Sequence, residues 1–580
     1  MADMLTIALS ANKAFQRALD VTSHNVANVN TEGYNRQRAE IVSNSPQIFG
    51  GAFGGGGSRV DTIQRVYADY VWRQQLQATS LEQRYDGALN SAKEVEGIIA
   101  ANDNGVQQFL QRFFDSLQNL SNEPLSSVNR QMVLDEATNL ESHIQNITAF
   151  LTDNQSQTNA QISALVDEVN QQLDVIQRAN EAVFKAQNNG TFPPNDLLDK
   201  RDQAVMELGK LLDVRVFEQK NGYLDVYVGN GSLPLLSDNT RTSFTAERSP
   251  YTNEDRTELY MTIGDQKRIV SDLISGGQLG GVLDFRKNML DPAQEALGLT
   301  LAGFTAAMNN QHRQGWDLGG NPGGDLFAPL DTTALGNRDN AGAEDGTGIR
   351  ITNNIPDYTT PPLSLTPAQV EQAQADMVPR SYRLEWDGTQ FQVFDAASGQ
   401  NLGTIADGTK TLFEGLVFDT TSTTAKTAGD TYIVHPYQDM MQQFGKVISD
   451  PNDLATRGED PNVPGTPAPA GDNTNIANLA NLANKEILYK DASGQPAETI
   501  LGGYSRMASQ VGLYTHGTQI NLDSQQQVLK QVTDRLQSIS GVNLDEEAAN
   551  LMRFQQAYQA SAQIIQVSNT LFDTLIGVIR

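Results

Sequence analysis

From Gly541 to Arg580 the apolar side chains recur every seven positions. Leu544, Leu551, Tyr558, Ile565, Phe572 and Ile579 form one column, Ala557, Ile564, Leu571 and Val578 lie beside it, and Phe554 and Leu575 flank the other side. The spacing predicts a continuous helix of about 36 residues, roughly 50 Å long, uninterrupted by proline and by glycine until Gly577. Between Phe554 and Phe572 there is no charged side chain, but Gln555, Gln556, Gln559, Gln563, Gln566, Ser561, Ser568 and Asn569 would each need a partner in lipid. This argues for a helix crowded by other helices and against a membrane span.

The other end carries a matching pattern. Met4, Leu5, Ile7, Ala8, Ala11, Ala14, Phe15, Ala18, Leu19, Val21 and Val26 make a broad helical stripe dominated by alanine. Small residues let a second helix come close, so the two ends look complementary. Asn25, Asn28 and Asn30 then precede Thr31, Gly33 and Tyr34, a turn in which amide side chains satisfy the helix end and Gly33 permits a sharp exit.

Between the ends the period changes several times. QRAEIV and SRVDTIQRV read as two short strands around the glycine-rich loop Phe49 to Gly57, which matches neither phosphate-binding glycine pattern and is expected to be a hinge. From Val66 to about Ala186 the spacing is helical, with Val133, Leu140 and Ile147 and later Ile162, Val169, Ile176 and Val183 in heptads. A distant mate for these helices is Leu522, Leu529 and Leu536 with Val532 and Ile539. LDVRVF, YLDVYVGNG, RTSFTAE, ELYMTIGD and KRIVSD alternate as strands, helical spacing returns over 280–314, and RSYRLEWDGTQFQVFD reads as a hairpin around Asp387-Gly388.

The expected fold class is multidomain α+β, with paired, coiled-coil-like terminal helices, a long-helix bundle and two β-rich insertions. The expected division is a terminal unit of 1–34 with 542–580, and a helical second unit of 35–188 with 474–541 that carries a hairpin near 36–66. A β-rich segment covers 189–335, an outer β-rich insertion 336–449, and a Pro/Gly linker or surface loop 450–473. Each β block is large enough for a small core of its own.

Composition narrows the function. The 580 residues contain 41 Lys and Arg against 69 Asp and Glu, a formal charge of -28, and no basic run, which disfavours nucleic acid. Cysteine is absent, which excludes disulfides, thiolate metal sites and cysteine nucleophiles. The N-terminus has Asp3 where a secretory signal would carry Lys or Arg, so any export is expected to use another route. His24, His143, His312, His435 and His516 are scattered, no metalloprotease or serine-hydrolase motif accompanies them, and Asp317 to Asp325 lacks the ligand spacing of a calcium loop. No catalytic, cofactor or metal residues are assigned.

LDVTSHNVANVNTEGYNRQR (Leu19 to Arg38), taken with GVNLDEEAANLMRFQQAYQASAQIIQVSNTLFDTLI, resembles the paired terminal signature of the bacterial flagellar axial proteins, the rod, hook and hook-associated family. GYNRQ (Gly33 to Gln37) and GVNLDEE (Gly541 to Glu547) resemble its hook-associated branch, since hook and rod proteins more often have Phe after that glycine; His24 departs from the usual Asn. The resemblance implies a non-enzymatic structural protein, a ring of subunits at the junction between hook and filament, outside the cell, reached unfolded through the flagellar type III pathway without a cleaved signal. Implied partners are further copies of the chain, the hook protein, hook-associated protein 3 and a cytoplasmic export chaperone on the C-terminal helix, with no cofactor, nucleic acid or membrane insertion. The assembly interface would comprise Met4, Ile7, Ala11, Phe15, Ala18, Asn25, Asn28, Asn30, Gly33 and Tyr34 with Leu544, Leu551, Phe554, Tyr558, Ile565, Phe572 and Ile579. The alternatives are another axial protein, hook or distal rod, or a secreted adhesin built on the β insertions.

Overall fold

A computed structural model describes residues 2–45, 47–49, 52–99, 105–189, 192–353 and 367–579. Helix α1 (Ala2–Ala27) leads into the antiparallel pair β1 (Gln37–Ser43) and β4 (Ser58–Arg65), with Gln37 opposite Arg65. The loop expected to be a flexible hinge is partly a second hairpin, β2 (Gln47–Phe49) with β3 (Ala52–Gly54); Gly50 and Gly51 lie outside the described residues. Four helices follow: α2 (Asp69–Ile99), α3 (Val106–Asn122), the 63-residue α4 (Ser127–Asn189) and α5 (Asn195–Leu211).

The first β-rich unit holds two sheets. One is built from β5 (Arg215–Glu218), β6 (Leu224–Val228), β7 (Leu233–Ser237) and β8 (Thr240–Arg241), the other from β9 (Phe244–Arg248), β10 (Thr257–Ile263) and β11 (Gln266–Ile269). Helix α6 (Gly277–Phe285) passes through one π-helical turn, Arg286–Leu290, into α7 (Asp291–His312). The outer insertion contributes β12 (Asp331–Thr333), β13 (Leu335–Gly336), β14 (Arg350–Thr352), α8 (Pro367–Asp376), β15 (Tyr382–Trp386), β16 (Gln390–Asp395), β17 (Asn401–Ala406), β18 (Lys410–Phe413), β19 (Leu416–Asp419) and β20 (Thr431–Val434). These form sheets in the orders β12-β14-β19-β18 and β13-β20-β15-β16-β17, and the hairpin expected at Asp387-Gly388 pairs Trp386 with Phe391. The chain returns through α9 (Pro436–Gln443), α10 (Thr474–Asn481) and the short pair β21 (Leu488–Lys490) and β22 (Pro496–Glu498) to α11 (Ile500–Ser540) and α12 (Leu544–Ile579).

Two apolar cores divide the body, and the division falls inside α4. Val133, Leu140, Ile147 and Leu151 join α3, α7, α10 and the outer sheets in one contiguous cluster that includes Phe113, Phe304, Phe327 and Phe444. Ile162, Val169, Leu173 and Ile176 join α5, α6 and the first β-rich unit in another. Most of the outer insertion's interior belongs to the first of these, where Tyr382, Leu384, Phe391 and Tyr432 pack with α7, while Ala373 of α8 and Val417 of β19 form a small cluster of their own. Its strands alternate, and the inward Tyr382 of β15 meets Phe413 and Phe418 of the other outer sheet edge to face, with ring centroids 6.3 and 5.6 Å apart.

The α4 heptads pack against α3 and α5, and the distant helix α11 mates chiefly with α2 instead. Leu522 is buried there, Tyr504 donates its hydroxyl proton to the Ile99 carbonyl at 2.7 Å, and Gln75 Nε2 donates to Thr533 Oγ1 at 3.1 Å. Part of the stretch 450–473, expected as linker or surface loop, turns inward. Leu454, Ala455, Thr456 and Arg457 are buried, because the buried Arg130 of α4 donates to the carbonyls of Pro451 and Leu454 and to Thr456 Oγ1 at 3.3, 3.0 and 2.8 Å. Residues 458–466 keep mostly exposed positions. Among the described residues no helix is long and apolar enough to cross a membrane.

Candidate functional site

The first and last helices lie side by side and antiparallel, since the end of α1 at Asn25 meets the start of α12 at Glu547. Helix α12 starts where it does because Asn543 Oδ1 accepts the backbone N–H of Asp545 at 2.9 Å, and Asp545, Glu546 and Glu547 place negative charge at the helix N-terminus. The seam on α1 consists of Ala8, Ala14, Ala18, Val21 and Thr22, all buried. On α12 it consists of Glu547, Ser561 and Ser568, with Leu551, Phe554, Tyr558 and Ile565 half-buried. Ser561 gives its proton to the Ala557 carbonyl at 2.9 Å, which lets a small polar residue sit under the close approach of alanine.

The outward surface of the pair carries a run of apolar side chains among amides. Met4, Ile7, Leu544, Met552, Ile564, Val567, Leu571, Phe572, Leu575 and Ile576 are all exposed, Leu544 at 52% and Phe572 at 57%. With Asn25 against Glu547 and 1.5 Å of rise per residue in both helices, Ala2 falls opposite roughly residue 570. The last turns of α12 thus extend past the start of α1, and after Ser568 every described side chain up to Gly577 is exposed. Ala11 and Phe15 are half-buried; the Ile579 side chain lies outside the described residues.

A polar joint fixes the base of this pair to the body. Asn25 is 1% exposed and uses its whole amide: Oδ1 accepts from Tyr34 Oη at 2.8 Å and Gln37 N at 2.9 Å, while Nδ2 donates to Gln37 O at 2.8 Å and Glu547 Oε2 at 3.2 Å. One side chain thereby joins both chain ends and the first strand. Because Tyr34 gives its proton to Asn25, His24 Nδ1, at 3.0 Å from the hydroxyl, is the donor in that contact. Burial, reinforced by the carboxylates of Asp196, Asp199 and Glu547, raises the Tyr34 hydroxyl far above its ordinary range and keeps it a donor.

The turn beyond α1 reaches α5. Asn28 Nδ2 donates to the His24 carbonyl at 3.0 Å, closing the helix end, while Asn30 is exposed. Gly33 adopts φ +75°, a left-handed conformation that favours glycine, and a Cβ there would stand 3.4 Å from Gln203 of α5. Asn35 donates its backbone N–H and its amide to the two carboxylate oxygens of Asp199 at 3.1 and 2.7 Å. Arg65 of β4 bridges Asp199 and Asp202 at 2.9 and 2.7 Å, with its guanidinium 4.0 Å from the Tyr67 ring. Burial pushes the Asp202 carboxyl up against the opposing pull of Arg65, so the pair holds its charge only while both partners stay together. Arg36 pairs with Glu546, and its backbone N–H donates to the Ser540 carbonyl at 2.9 Å, tying the turn to the break between α11 and α12.

Sequence reasoning found Asn25, Asn28, Gly33 and Tyr34 at this joint but passed over Glu547, Gln37, Asn35, Arg36, Arg65, Asp199 and Asp202. Glu547 offered a signal: it stands seven residues before Phe554 and fourteen before Ser561, a lone charge in a seam column. Among the described residues no cluster of His, Asp and Glu is placed to hold a metal ion. The joint is a device for holding helices, built from amides and ion pairs.

The paired terminal helices on either side of an intervening body match the axial proteins of the bacterial flagellum. Residues 5–35 match the family described as flagella basal body rod protein, 535–578 the flagellar basal body rod FlgEFG protein C-terminal family, and 92–327 the flagellar hook-associated protein FlgK helical domain. A relative from Escherichia coli (strain K12), flagellar hook-associated protein 1, is 29% identical over the whole of both chains. A protein of the same name from Bacillus subtilis (strain 168) is 28% identical over 56% of this chain and 69% of its own. The solved flagellar hook junction protein FlgK from Burkholderia pseudomallei superposes with a TM-score of 0.67 and 20% identity, covering 81% of this chain and all of its own, and shares the fold. Over its whole length the chain is similar to flagellar hook-associated protein 1, and it is a structural, axial component of the flagellum, assembled there with other flagellar proteins.

Proposed function

We propose that the chain forms the junction between hook and filament, a ring of copies joined through the terminal helices after export through the flagellar type III pathway. The observation that carries this reading is the run of apolar side chains on the outward surface of the terminal pair. The seam between α1 and α12 covers one side of each helix, and Met4, Ile7, Ile564, Leu571, Phe572 and Ile576 are left facing outward. Burying a side chain of this kind is worth about 1.5–3 kcal/mol, so a row of them supplies a strong drive to find neighbouring helices. The hook protein on one side and hook-associated protein 3 on the other would provide those helices in the flagellum. A cytoplasmic chaperone on α12 would shield the same residues before export. The likeness over the full length to the Escherichia coli flagellar hook-associated protein 1 supports a place next to the hook.

Electron microscopy of a strain lacking the gene tests the reading. Hooks should form and carry no filament, and the full chain supplied in trans should restore filaments. Intact filaments in the null strain, or absent hooks, would reject the junction assignment.

A further inference from the structure

The first β-rich unit meets the outer insertion and α7 through a chain of four side chains that spans three parts of the fold. Glu254 comes from the loop between β9 and β10, His435 follows β20, Ser381 precedes β15 and Glu295 lies on α7. His435 Nε2 is 3.0 Å from Glu254 Oε1, His435 Nδ1 is 2.7 Å from Ser381 Oγ, and Ser381 donates its hydroxyl proton to Glu295 Oε1 at 2.8 Å. The His435 and Glu254 side chains are 16% and 7% exposed. Ser249 caps the second oxygen of Glu254.

Counting protons shows what this arrangement needs. Ser381 has a single proton, and it goes to Glu295, so His435 Nδ1 must donate to Ser381 while Nε2 donates to Glu254; the imidazole is then charged. The same number of protons also fits with Glu295 protonated and donating to Ser381, Ser381 donating to a neutral His435, and Nε2–H still held by Glu254. Either way one mobile proton is shared between His435 and Glu295. Without it, Ser381 can satisfy only one of the two acceptors beside it, and a buried acceptor is left unpaired.

We propose that Glu254, His435, Ser381 and Glu295 form a proton-dependent latch that holds the loop between β9 and β10 onto the outer sheet and α7, and that releases as the surroundings turn alkaline. The charges around it act in the same sense. Glu295 also faces Asp291 and Asp395, and burial together with these carboxylates pushes it up to about 7. Burial works against a charged His435, but the Glu254 carboxylate outweighs it and raises the imidazole, with Arg256 opposing and Asp439 assisting. Asp439 is itself raised by burial. Arg256 is occupied by Glu258 and Asp291 at 2.7 and 2.8 Å and does not replace the missing proton.

Groups raised in the folded protein stabilise it below their unfolded values and lose that contribution as pH climbs through the folded ones. Glu254 is shifted the other way: burial opposes its charge, but His435 and Ser249 hold it low, so its contribution is lost only on acidification below the ordinary glutamate range. The latch is therefore tightest in mildly acid solution and loosens through about pH 7 and above. A cavity of about 380 Å³ lined by Arg248, Tyr251, Asn253, Glu254 and Arg338 lies against it and gives water a route for proton exchange. The backbone N–H of Thr252 donates to Gly336 O and that of Arg338 to Pro250 O, both at 2.9 Å, contacts that do not titrate and that keep the loop tethered when the latch opens.

Hydrogen–deuterium exchange on the full chain, corrected for intrinsic rates, tests this. Between about pH 6 and about pH 8.5, exchange in residues 249–256 and 377–382 should rise about tenfold or more, while α2 stays level. A double substitution, Glu295→Gln with His435→Gln, should flatten the rise. A level profile in the unmodified chain, or an unchanged rise in the double variant, overturns the proposal. Should the double variant lose protection throughout, Ser381→Ala decides: it keeps both ionising groups and severs their connection, so a midpoint equal to that of the unmodified chain also overturns it.

Discussion

The terminal helix pair and the body of this protein use their apolar side chains in opposite ways. In the body, Phe113, Phe304, Phe327 and Phe444 meet edge to face or tilted or stacked, with Phe304 and Phe327 centroids 4.9 Å apart, and Phe304 is 0% exposed. In the terminal pair, polar Ser561 and Ser568 occupy the seam while Leu571, Phe572 and Ile576 face out. The body is complete as one chain. The pair leaves apolar side chains facing outward, and the difference shows that apolar content by itself does not say where a core closes.

The sharpest way to break the body is Phe304→Ala. Its ring touches aromatic partners from α3, the loop at Phe327 and Phe444, so truncation leaves a large cavity that neighbours in three segments cannot jointly fill. A loss of about 3–5 kcal/mol is expected, read by urea denaturation of the isolated chain. A change of less than about 1 kcal/mol would mean that the aromatic cluster repacks and that the contrast with the terminal pair is weaker than drawn.

Asn25→Ala acts on the joint and should have a smaller, local effect. It removes the partner of Gln37 N and Gln37 O together with a donor to Glu547, leaving backbone groups that must find water. The expected cost is about 1–3 kcal/mol, confined to α1 and the start of α12 and visible as faster amide exchange there with α7 unchanged. Equal loosening across the whole chain would show that the ends and the body unfold as one unit.

The outline of this organisation was legible in the sequence, and the reasons it was legible are specific. Heptads report which residues share a helix face, so the two terminal helices, the turn at Gly33 and the hairpin at Asp387-Gly388 could be placed from local spacing alone. Spacing does not report what a face meets. The outer strands alternate as expected, yet Leu384 and Tyr432 pack into one core with α7, and the partner of α11 is α2 rather than α4. At the joint, Asn25 and Tyr34 stood out because they sit in an unusual amide-rich turn, whereas Asp199 and Arg65 look like ordinary surface charges until α5 and β4 bring them within 2.9 Å. The latch residues were hidden for the same reason: Glu254 and His435 are 181 positions apart.

The smallest effect on the isolated chain is expected where the consequence for assembly is greatest. Phe572→Ala with Ile576→Ala removes side chains that are 57% and 48% exposed and that lie beyond the reach of α1, so the single chain loses almost no contact. Its unfolding free energy should stay within about 0.5 kcal/mol of the unmodified value, by the same urea measurement used for Phe304→Ala. Alanine is also a better helix former than either residue, so local helicity has no reason to fall. If these side chains are interface residues, the variant should fail to restore filaments in a strain lacking the gene, although it is made and folded. The two changes thus invert each other: one costs stability in the isolated chain through a closed core, the other costs assembly through an open face. Normal filaments from the double variant would remove the C-terminal overhang from the interface and leave the seam-flanking residues Met4, Ile7 and Ile564 as the surface that neighbours must cover.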